Sequence, residues 1–312
     1  MNLPFYSAAD VRSAVSMSEA IEAMKTAFIA LSDGSAIVPN RINLPIKDQN
    51  ALHLSMPAYI KGGKYNTIKL VNIHFDNPGK GLPLINGVIL VMDALEGSPL
   101  ALIEGKSVTA LRTGAGSGLA TDLLANPNAK QAVIIGAGAQ AGTQIEAIRC
   151  VRNLESVKVL GRSEEKTAAF CEGFDSVVQP GNKLDLKTAD IVCTATTGET
   201  PLFDLDDVKP GVHINAVGAH KPTTRELGTA LIQRGKVYID KLSSSKVEAG
   251  DILIPVSEGT YDWSQIKGEL GDLVMGKIQG RSSTEDMTIF NSIGNAVQDL
   301  VIASMVIEKN DK

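Results

Sequence analysis

The 312-residue sequence predicts an α/β protein built from two parts, a mixed-sheet segment followed by a doubly wound parallel sheet. Three observations carry that expectation. Residues 38–101 break into short β-like runs separated by Gly, Pro, Asn and Asp, as hairpin-connected strands do. After Asn126-Pro127 the texture changes to apolar strands alternating with helical patterns, the signature of parallel strands joined by crossover helices. The first of those strands runs straight into a glycine-rich turn that opens a helix. With 44% apolar and 21% charged residues, 29 Gly and 13 Pro, the composition is that of an ordinary globular chain with room for about two domains.

Taken in order, residues 7–32 open with polar residues and then set Val15, Ala20, Ile21, Met24, Ala27, Phe28 and Leu31 at helical spacing, ended by Gly34. Strands are expected at 41–45, 51–56, 67–74, 87–93 and 99–103. Residues 109–124, rich in Ala, Gly and Leu, read as a helix whose small side chains permit close packing. In the second part, strands are expected at 131–135, 157–160, 190–195, 212–217 and 237–240, with helices at 139–151, 164–172 and 225–234. A last helix over 291–308, with Ile293, Val297, Leu300, Val301 and Met305 on one face, is suited to return to the first part. No internal repeat or low-complexity tract interrupts this plan.

Charge excludes several function classes. Thirty Lys and Arg stand against 35 Asp and Glu, a formal charge of −5, and no basic stripe is available to neutralise a run of phosphates. Nucleic acid is therefore not an expected partner. The longest apolar stretches, 87–92 and 134–139, fall far short of the ~20 residues needed to cross a bilayer, and no basic-then-apolar leader pattern opens the sequence. The expectation is a soluble, cytoplasmic protein with no membrane partner. Cys150, Cys171 and Cys193 are odd in number and widely spaced, and His53, His74, His213 and His220 form no metal-ligand pattern, so no metal is expected.

The glycine turn reads Gly136-Ala137-Gly138-Ala139-Gln140-Ala141, a G-x-G-x-x-A motif with a buried strand before it and a helix after it. Gly136 permits the turn, Gly138 lets a pyrophosphate approach the backbone, and Ala141 keeps the helix close to the sheet. Unpaired N–H groups and the helix dipole then favour the anion. A Rossmann-type dinucleotide site follows. At the end of the second strand, where an Asp or Glu would accept from the adenosine ribose, the sequence has Gly161-Arg162-Ser163. Arg162 can stack on adenine and face a 2′-phosphate, and Ser163 can donate to it. The expected cofactor is therefore NADPH, with NADH admitted as second choice.

In the first part, strand alternation puts Lys69 on the face shared by Val71 and Ile73, and a charge on an apolar face wants an anionic partner. Arg41 follows Val38-Pro39-Asn40, and Arg112 and Thr113 lie near the start of the Ala/Gly-rich helix. Each alone reads as a surface cation. The three cations together on a largely neutral sheet segment suggest a pocket for a small carboxylate.

Several ordered blocks now resemble the ornithine cyclodeaminase/μ-crystallin family over nearly the whole chain. They are Pro39-Asn40-Arg41, Ser55 to Tyr59, Lys69-Leu70-Val71-Asn72 with Asn77-Pro78, Thr109 to Thr113, the glycine turn, Asn215 to Ala219, and Ser292-Ile293-Gly294. The resemblance implies a Rossmann NAD(P)-binding domain (115–287) inserted into a smaller α+β sheet domain (1–114, completed by 288–312). It also implies that the sheet domain forms a homodimer interface and that the site lies between the domains. By the same resemblance, Arg41, Lys69 and Arg112 hold a substrate carboxylate. The cofactor-binding positions assigned are Arg112, Thr113, Gly136, Gly138, Ala139, Gln140, Arg162, Ser163, Thr194, Ala195, Thr196, Val217, Gly218, Ser292 and Gly294.

One departure from the resemblance bears on the reaction. Cyclodeaminases carry an Asp two residues after the Val-Gly that matches Val217-Gly218, whereas this sequence has His220. Without that acid, deamination of ornithine is disfavoured. The ketimine-reducing branch also lacks it, so the resemblance points to NAD(P)H-dependent reduction of a cyclic imine acid, either Δ1-pyrroline-2-carboxylate to L-proline or Δ1-piperideine-2-carboxylate to L-pipecolate. Lys69 and His220 are the expected catalytic residues, His220 as a proton donor. Ornithine cyclodeamination, alanine dehydrogenation and a non-enzymatic cofactor-dependent carrier are the competing expectations.

Overall fold

A computed structural model describes residues 3–310 of the chain. Contacts divide it into two units, Met1–Arg112 with Asn295–Lys312, and Thr113–Gly294. The second unit is thus inserted, in sequence, between the two segments of the first.

The first unit begins with β1 (Phe5–Tyr6), α1 (Ala8–Ala14) and α2 (Met17–Asp33). The single helix expected over 7–32 is in fact two. Ser7 with Asp10 and Ser16 with Glu19 each form a reciprocal capping box, and the second box restarts the helix after Val15 leaves helical geometry. Gly34, at φ +78°, stops α2 as expected. Then come β2 (Ala36–Ile37), β3 (Ile42–Ile46), β4 (Ala51–Ile60), β5 (Tyr65–His74), β6 (Ile85–Asp93) and β7 (Pro99–Glu104). They form a mixed sheet in the order β1-β7-β6-β5-β4-β2, with β3 also pairing with β4; only the β1–β7 pair is parallel.

Helix α3 (Gly105–Leu124) carries the chain from the first unit into the second. Its first N–H groups are capped by the Glu104 carboxylate, which accepts from Ser107 N at 2.6 Å and Lys106 N at 3.0 Å. The second unit contains β8 (Gln131–Ile135), α4 (Ala141–Val151), β9 (Ser156–Leu160), α5 (Glu164–Cys171), β10 (Val178–Pro180), β11 (Ile191–Thr194) and β12 (His213–Ala216). It continues with α6 (Thr229–Arg234), β13 (Lys236–Ile239), α7 (Leu242–Glu248), α8 (Gly250–Ser257), β14 (Gly268–Glu269), α9 (Leu270–Val274) and β15 (Thr288–Asn291). Among the described residues its sheet has eight strands, all parallel, in the order β10-β9-β8-β11-β12-β15-β13-β14. Strand order reverses between β8 and β11, which is where open α/β sheets bind ligands. Small residues do allow close packing within this unit: a Cβ on Gly114 of α3 would sit 2.5 Å from the Thr143 carbonyl oxygen of α4.

Two boundaries need correction, the smaller being Thr113-Gly114, expected with the first domain and found in the second unit because α3 runs unbroken across the joint. Residues 288–294 were expected with the first domain. Thr288–Asn291 is instead a fully buried strand inserted between β12 and β13 of the parallel sheet, and only α10 (Ala296–Asn310) belongs with the first unit. Asn291-Ser292 and Gly294-Asn295 interrupt the apolar pattern between strand and helix, but a four-residue strand does not say in sequence which sheet it joins. Residues 1–2 and 311–312, the outer ends of the expected first domain, lie outside the described residues. Within the first unit, α10 packs on α2 and on β4, β5 and β6.

Candidate functional site

The first unit holds a buried ionic cluster. Lys69 sits in the middle of β5, paired with Met56 of β4 and Ile89 of β6, on the side where Thr67 is also buried. It is 3% exposed, and its ammonium lies 2.6 Å from Asp299 Oδ2 on α10. Arg112 Nε on α3 is 3.4 Å from the other oxygen of the same carboxylate, and Arg112 Nη1 donates to Gln298 Oε1 at 3.3 Å. Lys69 also donates to Thr109 Oγ1 at 3.4 Å. Burial, with help from the neighbouring Arg112 and Arg41 charges, lowers the Lys69 pKa to about 8 against the opposing pull of Asp299. The structure thus brings together Lys69 and Arg112 and sets Arg41 within electrostatic reach.

Sequence reasoning asked for an anionic partner for Lys69 and looked for it outside the protein. A first partner is internal. Asp299 was missed although it left a signal, a lone carboxylate between Val297 and Leu300 in the otherwise apolar pattern of the last helix. It is 1% exposed and lies in the first turn of α10, where the helix dipole favours a negative charge.

The second unit holds the glycine turn. Gly136, at φ +115°, makes the bend after β8, and a side chain there would strike the Ala195 carbonyl oxygen at 2.6 Å. Gly138 has open space where a Cβ would stand. Ala139 and Gln140 complete the turn, α4 has no side-chain cap, and the Gln140 side-chain oxygen Oε1 is buried without a partner. An open backbone cradle and an uncapped helix N-terminus are what a pyrophosphate requires, so these residues fit a dinucleotide. Arg162 is exposed at the end of β9, and Ser163 caps α5 by accepting from Lys166 N at 3.3 Å.

Beside the turn, the ends of three parallel strands are braced by buried carboxylates that sequence reasoning did not single out. Glu226 accepts four hydrogen bonds: Thr194 Oγ1 at 2.7 Å, Thr196 N at 2.8 Å, Thr196 Oγ1 at 2.7 Å and Gly218 N at 2.8 Å. The expected cofactor positions Thr194 to Thr196 and Val217-Gly218 are therefore tied to one side chain. Asp240 Oδ2 accepts from Ser292 Oγ, Ile293 N and Gly294 N at 2.9–3.0 Å. Asp251 accepts from Glu226 N, Leu227 N and Asn291 Nδ2, and burial lifts its pKa to about 7. These acids had no motif to announce them, since each is defined by strand ends far apart in sequence.

Thr113 is buried in α3, within the second unit. His220 is exposed, with Nδ1 3.0 Å from the Gly218 carbonyl oxygen, so Nδ1 donates there. His213 and Cys193 are unsuited to chemistry: burial holds the imidazole neutral, at about 3, and pushes the thiol up to about 12. Among the described residues no three His, Cys, Asp or Glu side chains converge as metal ligands, and no helix is long and apolar enough to cross a membrane.

Known proteins resemble the chain along its whole length. A Delta(1)-pyrroline-2-carboxylate reductase of Bacillus cereus is 37% identical over 310 residues, covering 97% of this chain and 95% of that protein. The solved structure of Thermococcus litoralis Delta(1)-pyrroline-2-carboxylate reductase in complex with NADH and L-proline is 35% identical, with a TM-score of 0.93 over 98% of this chain and 97% of that one. An archaeal alanine dehydrogenase dimer with bound NAD is 33% identical, with a TM-score of 0.91 over 99% and 96%. The sequence profile of the ornithine cyclodeaminase/mu-crystallin family matches residues 2–312, through both the cation-bearing sheet unit and the inserted parallel-sheet unit, and the protein belongs to that family.

Proposed function

We propose that the protein is an NAD(P)H-dependent reductase of a cyclic imine acid, converting Δ1-pyrroline-2-carboxylate to L-proline, Δ1-piperideine-2-carboxylate to L-pipecolate, or both. The observation that carries this reading is the buried Lys69–Asp299–Arg112 cluster with Arg41 near it, a set of cations suited to a small carboxylate. The names of the relatives support it, since the B. cereus and T. litoralis proteins are pyrroline-2-carboxylate reductases and the latter was solved with NADH and L-proline.

The cofactor, when bound, supplies a hydride equivalent to the imine carbon. Gly136, Gly138, Ala139 and Gln140 would hold its pyrophosphate, and the strand ends braced by Glu226 and Asp240 would hold the nicotinamide portion. Lys69, Arg112 and Arg41 fix the substrate carboxylate and so orient the ring, which supplies rate by positioning. The imine nitrogen must gain a proton. Lys69, still charged below about pH 8, and His220 are the candidate donors. Arg162 is exposed in Gly161-Arg162-Ser163 at the end of β9, where the ribose-binding acid would stand, so it suits a 2′-phosphate, and we read the preferred cofactor as NADPH.

We also read the protein as a homodimer through its first-unit sheet. Ile37, Ile42, Leu44 and Ile85 lie exposed on strands of that sheet, more apolar surface than an edge facing water usually bears. The alanine dehydrogenase relative is a dimer. Light scattering should give twice the chain mass, and Leu44→Glu should return it towards one.

The functional test is a panel of reduced-nicotinamide oxidation with five- and six-membered cyclic imine acids, pyruvate plus ammonia, and ornithine with NAD. Reduction of a cyclic imine acid is expected. Release of ammonia from ornithine, or turnover of pyruvate plus ammonia alone, would overturn the assignment. Retention of cofactor with no turnover of any substrate would favour the carrier reading.

A further inference from the structure

A carboxylate inside a site built for a carboxylate is a costly arrangement unless it has a task. Asp299 is an anion among cations that the proposed reaction needs for its own anion. Arg41, Lys69 and Arg112 repel one another, and a buried ammonium between two guanidinium groups would tend to lose its proton. The charged groups that face Lys69 are Asp299 from α10, Arg112 from α3 and Arg41 from the loop before β3, so Asp299 is the anionic member. The other titratable groups of the elements packed there are engaged elsewhere. His53 of β4 bonds to Asn72 and Ser55, Glu19 of α2 to Lys309, Lys25 of α2 to Glu22, and Asp10 of α1 to Ser7; Asp93 of β6 accepts from Leu95 N and Glu96 N.

The geometry also divides the donors. Lys69 is ion-paired with Asp299 at 2.6 Å and donates to Thr109, while Arg112 sets Nε 3.4 Å from Asp299 without a hydrogen bond and donates from Nη1 to Gln298. One N–H of Lys69 and the Nη2 group of Arg112 keep no partner among the described residues. Gln298 is itself fixed, because its Oε1 also accepts from Asn295 N at 2.8 Å. Asp299 thus draws both cations to one carboxylate while donors on each remain over.

We propose that Asp299 is a positioning residue of the carboxylate clamp: it keeps Lys69 charged and directs its remaining N–H, together with Nη2 of Arg112, at the carboxylate of the imine acid. This rests on the reductase reading for the identity of the ligand, but the state of Lys69 can be followed without any substrate. The experiment compares wild type, Asp299→Asn and Asp299→Glu by the pH titration of the Lys69 Cε resonance, identified by its loss in Lys69→Met. Imine-acid kinetics and NADH affinity are measured on the same three proteins.

In Asp299→Asn the Lys69 midpoint should fall by about one pH unit or more, because the attraction holding the proton is gone. The KM for the imine acid should rise at least about tenfold, with NADH affinity unchanged. Asp299→Glu, which keeps the charge on a longer arm, should hold the midpoint within about half a pH unit of wild type while still raising KM. If Asp299→Asn does not fold, Asp299→Glu decides alone: an unchanged KM overturns the proposal. A midpoint in Asp299→Asn within about 0.3 pH units of wild type overturns it as well, because a carboxylate that only fills space would leave the proton on Lys69 unaffected. Failure of wild type to turn over any imine acid, with the midpoint shift present, would instead sink the reductase reading and leave the tie between Asp299 and Lys69 standing.

Discussion

The two units both bury carboxylates, and they satisfy them in different ways. In the first, Asp299 meets two full charges, Lys69 and Arg112, at 2.6 and 3.4 Å. In the second, Glu226, Asp240 and Asp251 meet backbone N–H groups, hydroxyls and an amide. The difference teaches what each arrangement is good for. Cations with donors left over can be shared with an incoming anion. Backbone N–H groups tied to a carboxylate have no donor left, so such a contact holds a loop in place and recognises nothing. In the second unit the open donors are instead those of the glycine turn and the uncapped start of α4, away from the braced strand ends.

If that contrast is right, the largest effect of any substitution on substrate use should come from the first unit. Lys69→Met removes a charged hydrogen bond worth ~1.5–3 kcal/mol, so kcat/KM for the imine acid should fall about 10- to 150-fold. NADH affinity, measured by fluorescence titration, should stay near normal. A variant as active as wild type would break the comparison at its strongest point.

The mirror test is Glu226→Gln. A glutamine has one acceptor oxygen for four donors; the threonine hydroxyls can turn round to accept from its amide, but either Thr196 N or Gly218 N must be left without a partner. The expected loss is ~1–3 kcal/mol of stability, seen as a lower Tm, with NADH affinity weakened roughly tenfold as the strand ends loosen. Unchanged NADH affinity would mean that the braced loops are not part of the cofactor site.

Arg162→Asp sharpens the picture at the adenosine end. An acid there accepts from a ribose and repels a 2′-phosphate, so the NADPH to NADH ratio of kcat/KM should move about tenfold towards NADH. Retention of the parent ratio would show that Arg162 does not meet the phosphate.

The smallest expected effect lies in the pH dependence of stability. The Asp251 carboxyl has its folded pKa raised to about 7, above the unfolded value near 3.8. Between about pH 4 and 7 the folded chain therefore holds a proton that the unfolded chain has released, and stability declines as pH rises across that window, by roughly 1 kcal/mol per pH unit. Asp251→Asn should flatten the slope, since an asparagine oxygen can still accept from Glu226 N and Leu227 N. Its amide can donate to Asn291 Oδ1, which is buried without a partner and is brought round by turning the Asn291 amide. A slope that survives the substitution would assign it to another group.

The sequence by itself determined the alternation of strands and helices after Asn126, the mixed-sheet character before it, and the glycine turn, because each of these is written in neighbouring residues: a period, a break, a G-x-G-x-x-A. It also determined that Lys69 needed a counter-ion, because a charge in an apolar strand is legible wherever it occurs. What it could not determine was which groups would meet. Asp299 lies 230 positions beyond Lys69 in the chain, and Glu226 reaches strand ends that precede it by 8 to 32 residues. Those encounters exist only once α10 has packed on β5 and the parallel sheet has drawn its strand ends together. The split of the first helix lies between these cases, since both capping boxes are visible as Ser-x-x-acid patterns but are hidden by a hydrophobic period that runs across them. The assignment of residues 288–291 to the second sheet was settled only by tertiary structure, because a four-residue strand names no partner in sequence and only pairing with β12 and β13 places it.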